Sequence, residues 1–150
     1  MSFLDAFEAH IENRDRAAAE VSKWSVGMQV HHSLKVAAGV FQAVAESEPG
    51  AEKPTFSFLK FIVMLTGRIP RGKAKAPKIA LPEESPSEEE LRQLLDRARK
   101  NLKTLKEADP ACYFKHFKFG VLNRDQSVKF VEIHSRHHLH IIDDILKAST

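Results

Sequence analysis

The sequence predicts an all-α protein, a four-helix bundle with a short extra helical insert between its second and third helices. Three observations lead to this fold class: four segments repeat apolar residues at helical spacing, modest loops join them, and no segment alternates as a strand does. A length of 150 residues suits one core, so a single domain over residues 1–150 is expected.

The first two helices are predicted over roughly residues 3–21 and 25–46. The first has an apolar face followed by an alanine-rich run, and neither glycine nor proline interrupts it. The second ends where Pro49 and Gly50 stop it. Its interior Gly39 lowers helix stability, a cost that is tolerable where a neighbouring helix must approach closely.

The third helix has the clearest start signal. Ser85 is the predicted N-cap, Pro86 suits the first helical position, and Glu88 can close a capping box. A leucine stripe then continues until a proline follows Asp109.

The fourth helix is predicted to begin after Gly120 and to continue to about residue 148. Asn123 or Asp125 is its expected N-cap.

The insert at residues 49–86 differs in character from the rest. Its apolar run, FSFLKFIVML, indicates a short buried helix, although a strand fits the same run. A loop at 67–78 follows, with glycines, prolines and five cations but no acid. These cations are Arg68, Arg71, Lys73, Lys75 and Lys78.

Composition excludes several classes of protein. The single cysteine, Cys112, allows no intrachain disulfide and favours a reducing, cytoplasmic compartment. Asp5 and Glu8 interrupt the apolar N-terminal stretch, so neither a secretory signal nor a membrane anchor is expected there. The longest apolar run, at 61–67, is too short to span a bilayer. A formal charge of +3 does not by itself indicate nucleic-acid binding.

Four of the eight histidines lie between positions 134 and 140, and helical phase separates them. His134 and His138 fall on the apolar face, His137 lies at its edge, and His140 points away. A pair spaced i, i+4 lets two imidazoles reach one metal ion. The alternative is a pair of core histidines that are hydrogen-bonded to their neighbours. On the second helix His32 lies nearer the apolar face than His31, and it is the better candidate for a third ligand.

Two segments resemble a known family. The first segment is similar to the start of the second helix in the DinB-like superfamily; it is WSVGMQVHHSL at 24–34. In that family helix a tryptophan precedes a metal-binding histidine by eight residues, and in this sequence the same count falls on His32. The second segment resembles the closing segment of one uncharacterised branch of this superfamily, which carries a C-terminal HxxHHL motif; it is HFKFGVLNRDQSVKFVEIHSRHHLHI at 116–141. Matching positions are His116, Phe119, Gly120, Leu122, His134, His137, His138 and Leu139; Phe117 replaces the usual proline, and Val128 lies near the usual tryptophan.

The resemblance implies a four-helix bundle that holds a divalent metal, zinc or nickel, with His32, His134 and His138. Three protein ligands leave coordination positions open, as catalysis requires. The family includes thiol-dependent transferases and isomerases, so the expected function is a metal-dependent enzyme that activates a small thiol or water for transfer or hydrolysis. His137 is expected to affect the site indirectly, and His116 to line its mouth.

No catalytic base stands out in the sequence. Glu8, Glu12, Asp143 and Asp144 can orient an imidazole, but solvated helix faces explain these carboxylates equally well.

Two other functions stay open. The chain can be a binding or stress-response protein of the same fold, with a structural metal or none. The basic loop can meet nucleic acid, although it lacks aromatic residues for base stacking, and a loop that closes over an anionic substrate is the better interpretation. Apolar residues at 56–65 suggest a homodimer surface.

Overall fold

The computed structural model describes residues 2–72 and 75–149, and these residues are mostly helical. The helices are α1 (Phe3–His10), α2 (Val26–Glu46), α3 (Phe58–Thr66), α4 (Glu88–Glu107) and α5 (Arg124–Ala148), with short 3₁₀ turns at Ile11–Asn13 and Lys78–Ala80. The strands are β1 (Tyr113–His116) and β2 (Gly120–Asn123). All four predicted helices and the predicted insert helix are therefore present, with corrections to their bounds.

The all-α expectation missed a two-stranded hairpin. β1 and β2 pair antiparallel between α4 and α5, with Tyr113 opposite Asn123 and His116 opposite Gly120. Gly120 has a left-handed φ of 70°, which suits the end of this tight connection. Strands of four residues are too short to show a convincing alternation in the sequence, which explains the omission.

The first helix is shorter than predicted. α1 ends at His10, a 3₁₀ turn ends at Asn13, and the chain then folds back toward the start of α2. The backbone N–H groups of Val26 and Gly27 donate to the carbonyls of Arg16 and Arg14, both at 2.9 Å. These bonds satisfy two amides that the first turn of α2 would otherwise leave unpaired, so the tertiary contact overrides the helix propensity of the alanine run.

The helix caps follow the predicted chemistry, with one shift. Asn123, one of the two predicted caps, caps α5 in a capping box with Gln126. α4 is capped by Ser87 with Glu90, two residues beyond the predicted pair, because both pairs have the same spacing. A close helix approach does not explain Gly39, since a Cβ atom there would meet no described atom within 4 Å.

α2 occupies the centre of the molecule. It packs against α1, α4, α5 and the hairpin, so apolar residues on several of its faces are buried. Fully buried side chains along it include Val26, Val30, Leu34, Phe41 and Val44. This position buries His31 as well as His32, so the sequence understated the burial of His31.

α3 is a helix, as the first interpretation of the apolar run held, but it is largely exposed. Phe58, Phe61 and Leu65 are 70%, 51% and 70% exposed, and only Lys60 and Val63 are buried. Among the described residues, no helix combines the length and hydropathy that crossing a membrane requires. The loop after α3 is irregular where the structure describes it; its Lys73 lies outside the described residues.

Candidate metal centre

Three imidazoles meet where α2 packs against α5. The Nε2 atom of His134 lies 3.2 Å from Nε2 of His32 and 3.3 Å from Nε2 of His138. The candidate ligand atoms of all three side chains lie within 4.8 Å of one another. Two of the rings come from adjacent turns of α5 and the third comes from α2, as the helical phases predicted.

A backbone carbonyl orients His32. Its Nδ1 lies 2.6 Å from the carbonyl oxygen of Ala80, the last residue of the 3₁₀ turn at Lys78–Ala80. The same segment is tied to α2 elsewhere, because Lys35 donates to the Leu81 carbonyl and the Glu83 amide donates to Nδ1 of His31. The end of the insert is thus fastened along α2 and positions one ring of the cluster.

A buried amide orients His138. Its Nδ1 lies 2.6 Å from the side-chain oxygen of Gln29, which is 2% exposed. The Gln29 amide nitrogen donates to the Ser22 hydroxyl at 3.0 Å, and this bond keeps the amide oxygen turned toward His138. Gln29 precedes His32 by three residues, so both side chains project from the same face of α2.

The hydrogen bonds at the outer nitrogens, the Nδ1 atoms, determine whether each inner nitrogen, Nε2, presents a proton or a lone pair to the centre of the cluster. A carbonyl oxygen only accepts, so Nδ1 of His32 carries its proton and Nε2 keeps a lone pair. The Gln29 oxygen imposes the same tautomer on His138. His134 can donate one Nε2 proton to only one of them, and its own Nδ1 is buried with no hydrogen-bond partner in the described part of the chain. Hydrogen bonds alone therefore leave the cluster incomplete.

A divalent cation fits this arrangement. Converging lone pairs repel one another unless a cation lies between them, and ligating histidines ordinarily donate their other N–H to a carbonyl or amide. Zn–N bonds of about 2.0–2.1 Å in a tetrahedral site separate neighbouring nitrogens by about 3.3 Å. The two Nε2 separations of 3.2 and 3.3 Å match that value.

Burial keeps the three rings neutral, which is the form that binds a metal. Desolvation lowers the pKa of His134 and of His138 well below the usual value, and the neighbouring histidines lower both further. Desolvation also lowers the pKa of His32, while its hydrogen bond to Ala80 acts in the opposite direction. No proton has to leave these rings at neutral pH before a cation binds.

Aromatic rings enclose the cluster on two sides. Trp24 lies 5.0 Å from the ring of His32 and 6.4 Å from that of His138, and Phe130 lies 5.7 Å from the ring of His134. These walls limit the access of water to the three Nε2 atoms.

The other histidines of the closing motif lie outside the cluster. The ring of His137 lies 5.1 Å from that of His138, nearly perpendicular to it, and is half-buried. His140 is exposed and points away from the cluster, as its phase predicted.

His116 stabilises the hairpin turn. Its Nδ1 accepts the backbone N–H groups of Lys118 and Phe119, both at 3.1 Å, and its ring stacks on Phe119 at 4.3 Å. Phe130 lies between His116 and His134, with ring centroids 4.8 and 5.7 Å away. Burial lowers the pKa of His116 to about 4.

Within the described residues, no carboxylate bonds to the three rings. Asp144 pairs with Arg71 and Glu8 pairs with Arg99, so two of the four acids considered from the sequence belong to surface ion pairs. The groups that orient the cluster are Ala80 and Gln29, and sequence reasoning missed both. A polar residue three positions before His32 in an apolar helix was the one signal for Gln29, whereas a backbone carbonyl leaves no signal.

Comparison with known proteins agrees with this geometry. The sequence profile of the DinB superfamily matches residues 3–142, nearly the whole chain. The chain belongs to the DinB superfamily. Proteins of this superfamily often bind metal. Comparisons with curated proteins and with solved structures returned no significant match.

Proposed function

We propose that this DinB-superfamily protein is a metal-dependent enzyme whose divalent ion, zinc or nickel, is held by His32, His134 and His138. The observation that carries the proposal is the convergence of three Nε2 atoms while the outer nitrogens of two rings are tied to Ala80 and Gln29. Histidines that merely cluster at a protein surface do not require buried hydrogen-bond partners such as Ala80 and Gln29.

An open three-histidine site suits the activation of a small nucleophile. When bound, the metal supplies Lewis acidity that lowers the pKa of a low-molecular-weight thiol or of water toward neutrality. The protein supplies orientation through Ala80 and Gln29, and Trp24 and Phe130 exclude bulk water from the rings. The proposed substrate is a small molecule that reacts with the activated thiol or with water.

His137 and His116 take supporting roles in this proposal. His137 packs against the ring of His138 and borders the approach to the site, while His116 holds Phe130 against His134. Neither has a ring nitrogen in the cluster, so neither is proposed as a ligand.

Metal reconstitution tests the proposal. The purified chain is stripped with a chelator, loaded separately with zinc and with nickel, desalted, and analysed for bound metal. We expect near-stoichiometric binding of at least one ion. Less than about half an equivalent of either ion contradicts the metalloenzyme proposal.

A cobalt-substituted protein distinguishes a catalytic site from a structural one. Because three protein ligands leave positions open, small thiols should add a thiolate-to-cobalt absorption band that saturates with concentration. A spectrum that no thiol and no small anion changes indicates a closed, structural site, and the alternative function of a non-catalytic binding protein is then favoured.

A further inference from the structure

A positively charged cavity lies beside the histidine cluster. It has a volume of about 260 Å³, opens to solvent, and is bordered by the loop that follows α3 and by the middle of α5. Its lining residues are Gly67, Arg68, Ile69, Arg71, Arg136, His137 and His140. Three arginines and no acidic residue line this cavity among the residues that the structure describes.

The loop side of the cavity is held in place by its neighbours. Gly67 ends α3 with a left-handed φ of 63° and donates its N–H to the Val63 carbonyl at 2.8 Å. Ile69 packs against the hydrophobic core, and Arg71 forms an ion pair with Asp144 of α5 at 2.8 Å. The loop is thus attached to both α3 and α5, and it presents its arginines toward α5.

Two of the three arginines have no acidic counterpart among the described residues. Asp144 compensates Arg71, but neither Arg68 nor Arg136 forms an ion pair within the part of the chain that the structure describes. Nη1 of Arg136 lies 3.5 Å from the point where a Cβ on Gly67 would stand, so this guanidinium lies against the loop backbone. Guanidinium groups that border one concave surface favour a planar or tetrahedral oxyanion.

The cavity shares one wall with the histidine cluster. His137 lines the cavity on one side, and its ring lies 5.1 Å from the ring of His138 on the other. None of His32, His134 and His138 lines the cavity, so an anion bound there occupies a position next to the candidate metal ligands without displacing any of them.

We infer that this cavity binds the carboxylate or phosphate group of a small molecule, with Arg68 and Arg136 as the residues that recognise the anion. That this group anchors the substrate of the neighbouring site rests on the proposed function. Binding of the anion itself depends only on the cavity.

A nucleic acid fits this surface less well than a small anion. Binding of single strands uses aromatic platforms for bases, and the described lining contains no Phe, Tyr or Trp; its aromatic rings are those of His137 and His140. A volume of about 260 Å³ accommodates a small anionic group rather than a run of nucleotides.

Calorimetric titration of the full chain with inorganic phosphate and, separately, with succinate tests the inference. The variants are Arg68→Gln and Arg136→Gln, and Arg97→Gln is the matched control because Arg97 is an exposed arginine on α4 that bonds to Gln42. We expect saturable binding of at least one anion. Each cavity variant should lose at least about tenfold in affinity, since a charge-assisted hydrogen bond is removed, and the control should bind as the original chain does.

The result separates this inference from the proposed function. Both cavity variants should retain the metal content of the original chain, because neither arginine touches a candidate ligand. Arginine-dependent anion binding by a chain that holds no metal supports the cavity and contradicts only the enzyme proposal.

Three outcomes overturn the inference: no saturable binding of either anion, equal affinity in the cavity variants and the original chain, or arginine-dependent binding of a short DNA or RNA oligonucleotide in preference to both anions. Comparison of the two titrations shows whether a phosphate or a carboxylate is preferred.

Discussion

The three clustered histidines differ in what their outer nitrogens contact. His32 donates to a backbone carbonyl and His138 to a side-chain amide, while Nδ1 of His134 has no partner within residues 2–72 and 75–149. A backbone carbonyl cannot be removed by substitution, but an amide can. Gln29 is therefore the residue through which the orientation of one proposed ligand can be tested without altering any ligand.

Replacing Gln29 with leucine should weaken metal binding by about 10–100-fold, the usual cost of losing a group that orients a ligating histidine. Leucine keeps much of the buried volume but cannot accept the N–H of His138. Gln42→Leu on the same helix is the control, because the Gln42 side chain bonds to Glu46 and Arg97 and to none of the three histidines among the described residues. Competition with a metal indicator gives the affinities. Equal affinity in the two variants contradicts the role assigned to Gln29.

His116 should make the metal-free protein sensitive to acid. Its pKa is about 4 in the folded chain against an ordinary value of 6.5, because burial disfavours the charged ring. The unfolded chain then takes up a proton that the folded chain does not, so the free energy of unfolding should fall as the pH drops from about 6.5 to 4.

His116→Phe keeps an aromatic ring but removes the titrating group. Its metal-free form should lose stability less steeply over that pH range than the original chain, although the lost acceptor for the Lys118 and Phe119 amides lowers its stability throughout. Urea unfolding at several pH values measures the slopes. An unchanged slope shows that His116 does not titrate as its burial implies.

At the scale of elements, α2 determines most of the fold. Its apolar residues recur at helical spacing, so the helix could be predicted from the sequence. A serine caps its first turn, and its last turn ends at the predicted position. The end of α1 was not predictable from local residues. The chain turns back at Arg14 because the first amides of α2 need acceptors, and that requirement appears only when the two segments meet.

Two glycines on α2 give opposite predictions for the same substitution. A Cβ on Gly27 would lie 2.9 Å from Cβ of Arg14 and 3.0 Å from its carbonyl oxygen, whereas one on Gly39 would meet nothing within 4 Å. Gly39→Ala should therefore raise the free energy of unfolding by up to about 1 kcal/mol through helix propensity. Gly27→Ala should lower it by about 1–3 kcal/mol, because backbone at Arg14 must move. Chemical denaturation of both variants measures this, and a stabilising Gly27→Ala contradicts the packing described here.

At the scale of the whole molecule, the site was more predictable than its surroundings. Helical phase placed His134 and His138 on one face and His140 on another, because the phase of a regular helix depends only on residue number. Helical phase also favoured His32 over His31, and the resemblance in two short segments pointed to the same residue. The anchoring carbonyl of Ala80, the hairpin and the arginine-lined cavity depend on loops, whose path periodicity does not describe.

The exposed residues of α3 show the same limit. The apolar run predicted a helix correctly, but apolar composition did not predict that Phe58 and Leu65 would face solvent.

The homodimer and the cytoplasmic location stay predictions.

Metal content of five single histidine variants tests the central claim most directly. His32→Ala, His134→Ala and His138→Ala should each abolish stoichiometric binding of zinc and nickel, because two imidazoles hold a divalent ion weakly. His140→Ala should bind as the original chain does, and His137→Ala should show a partial effect. Loss of metal should lower the melting temperature, since the ion binds only the folded state. If His140→Ala empties the site while His138→Ala keeps it filled, the cluster described here is not the metal centre.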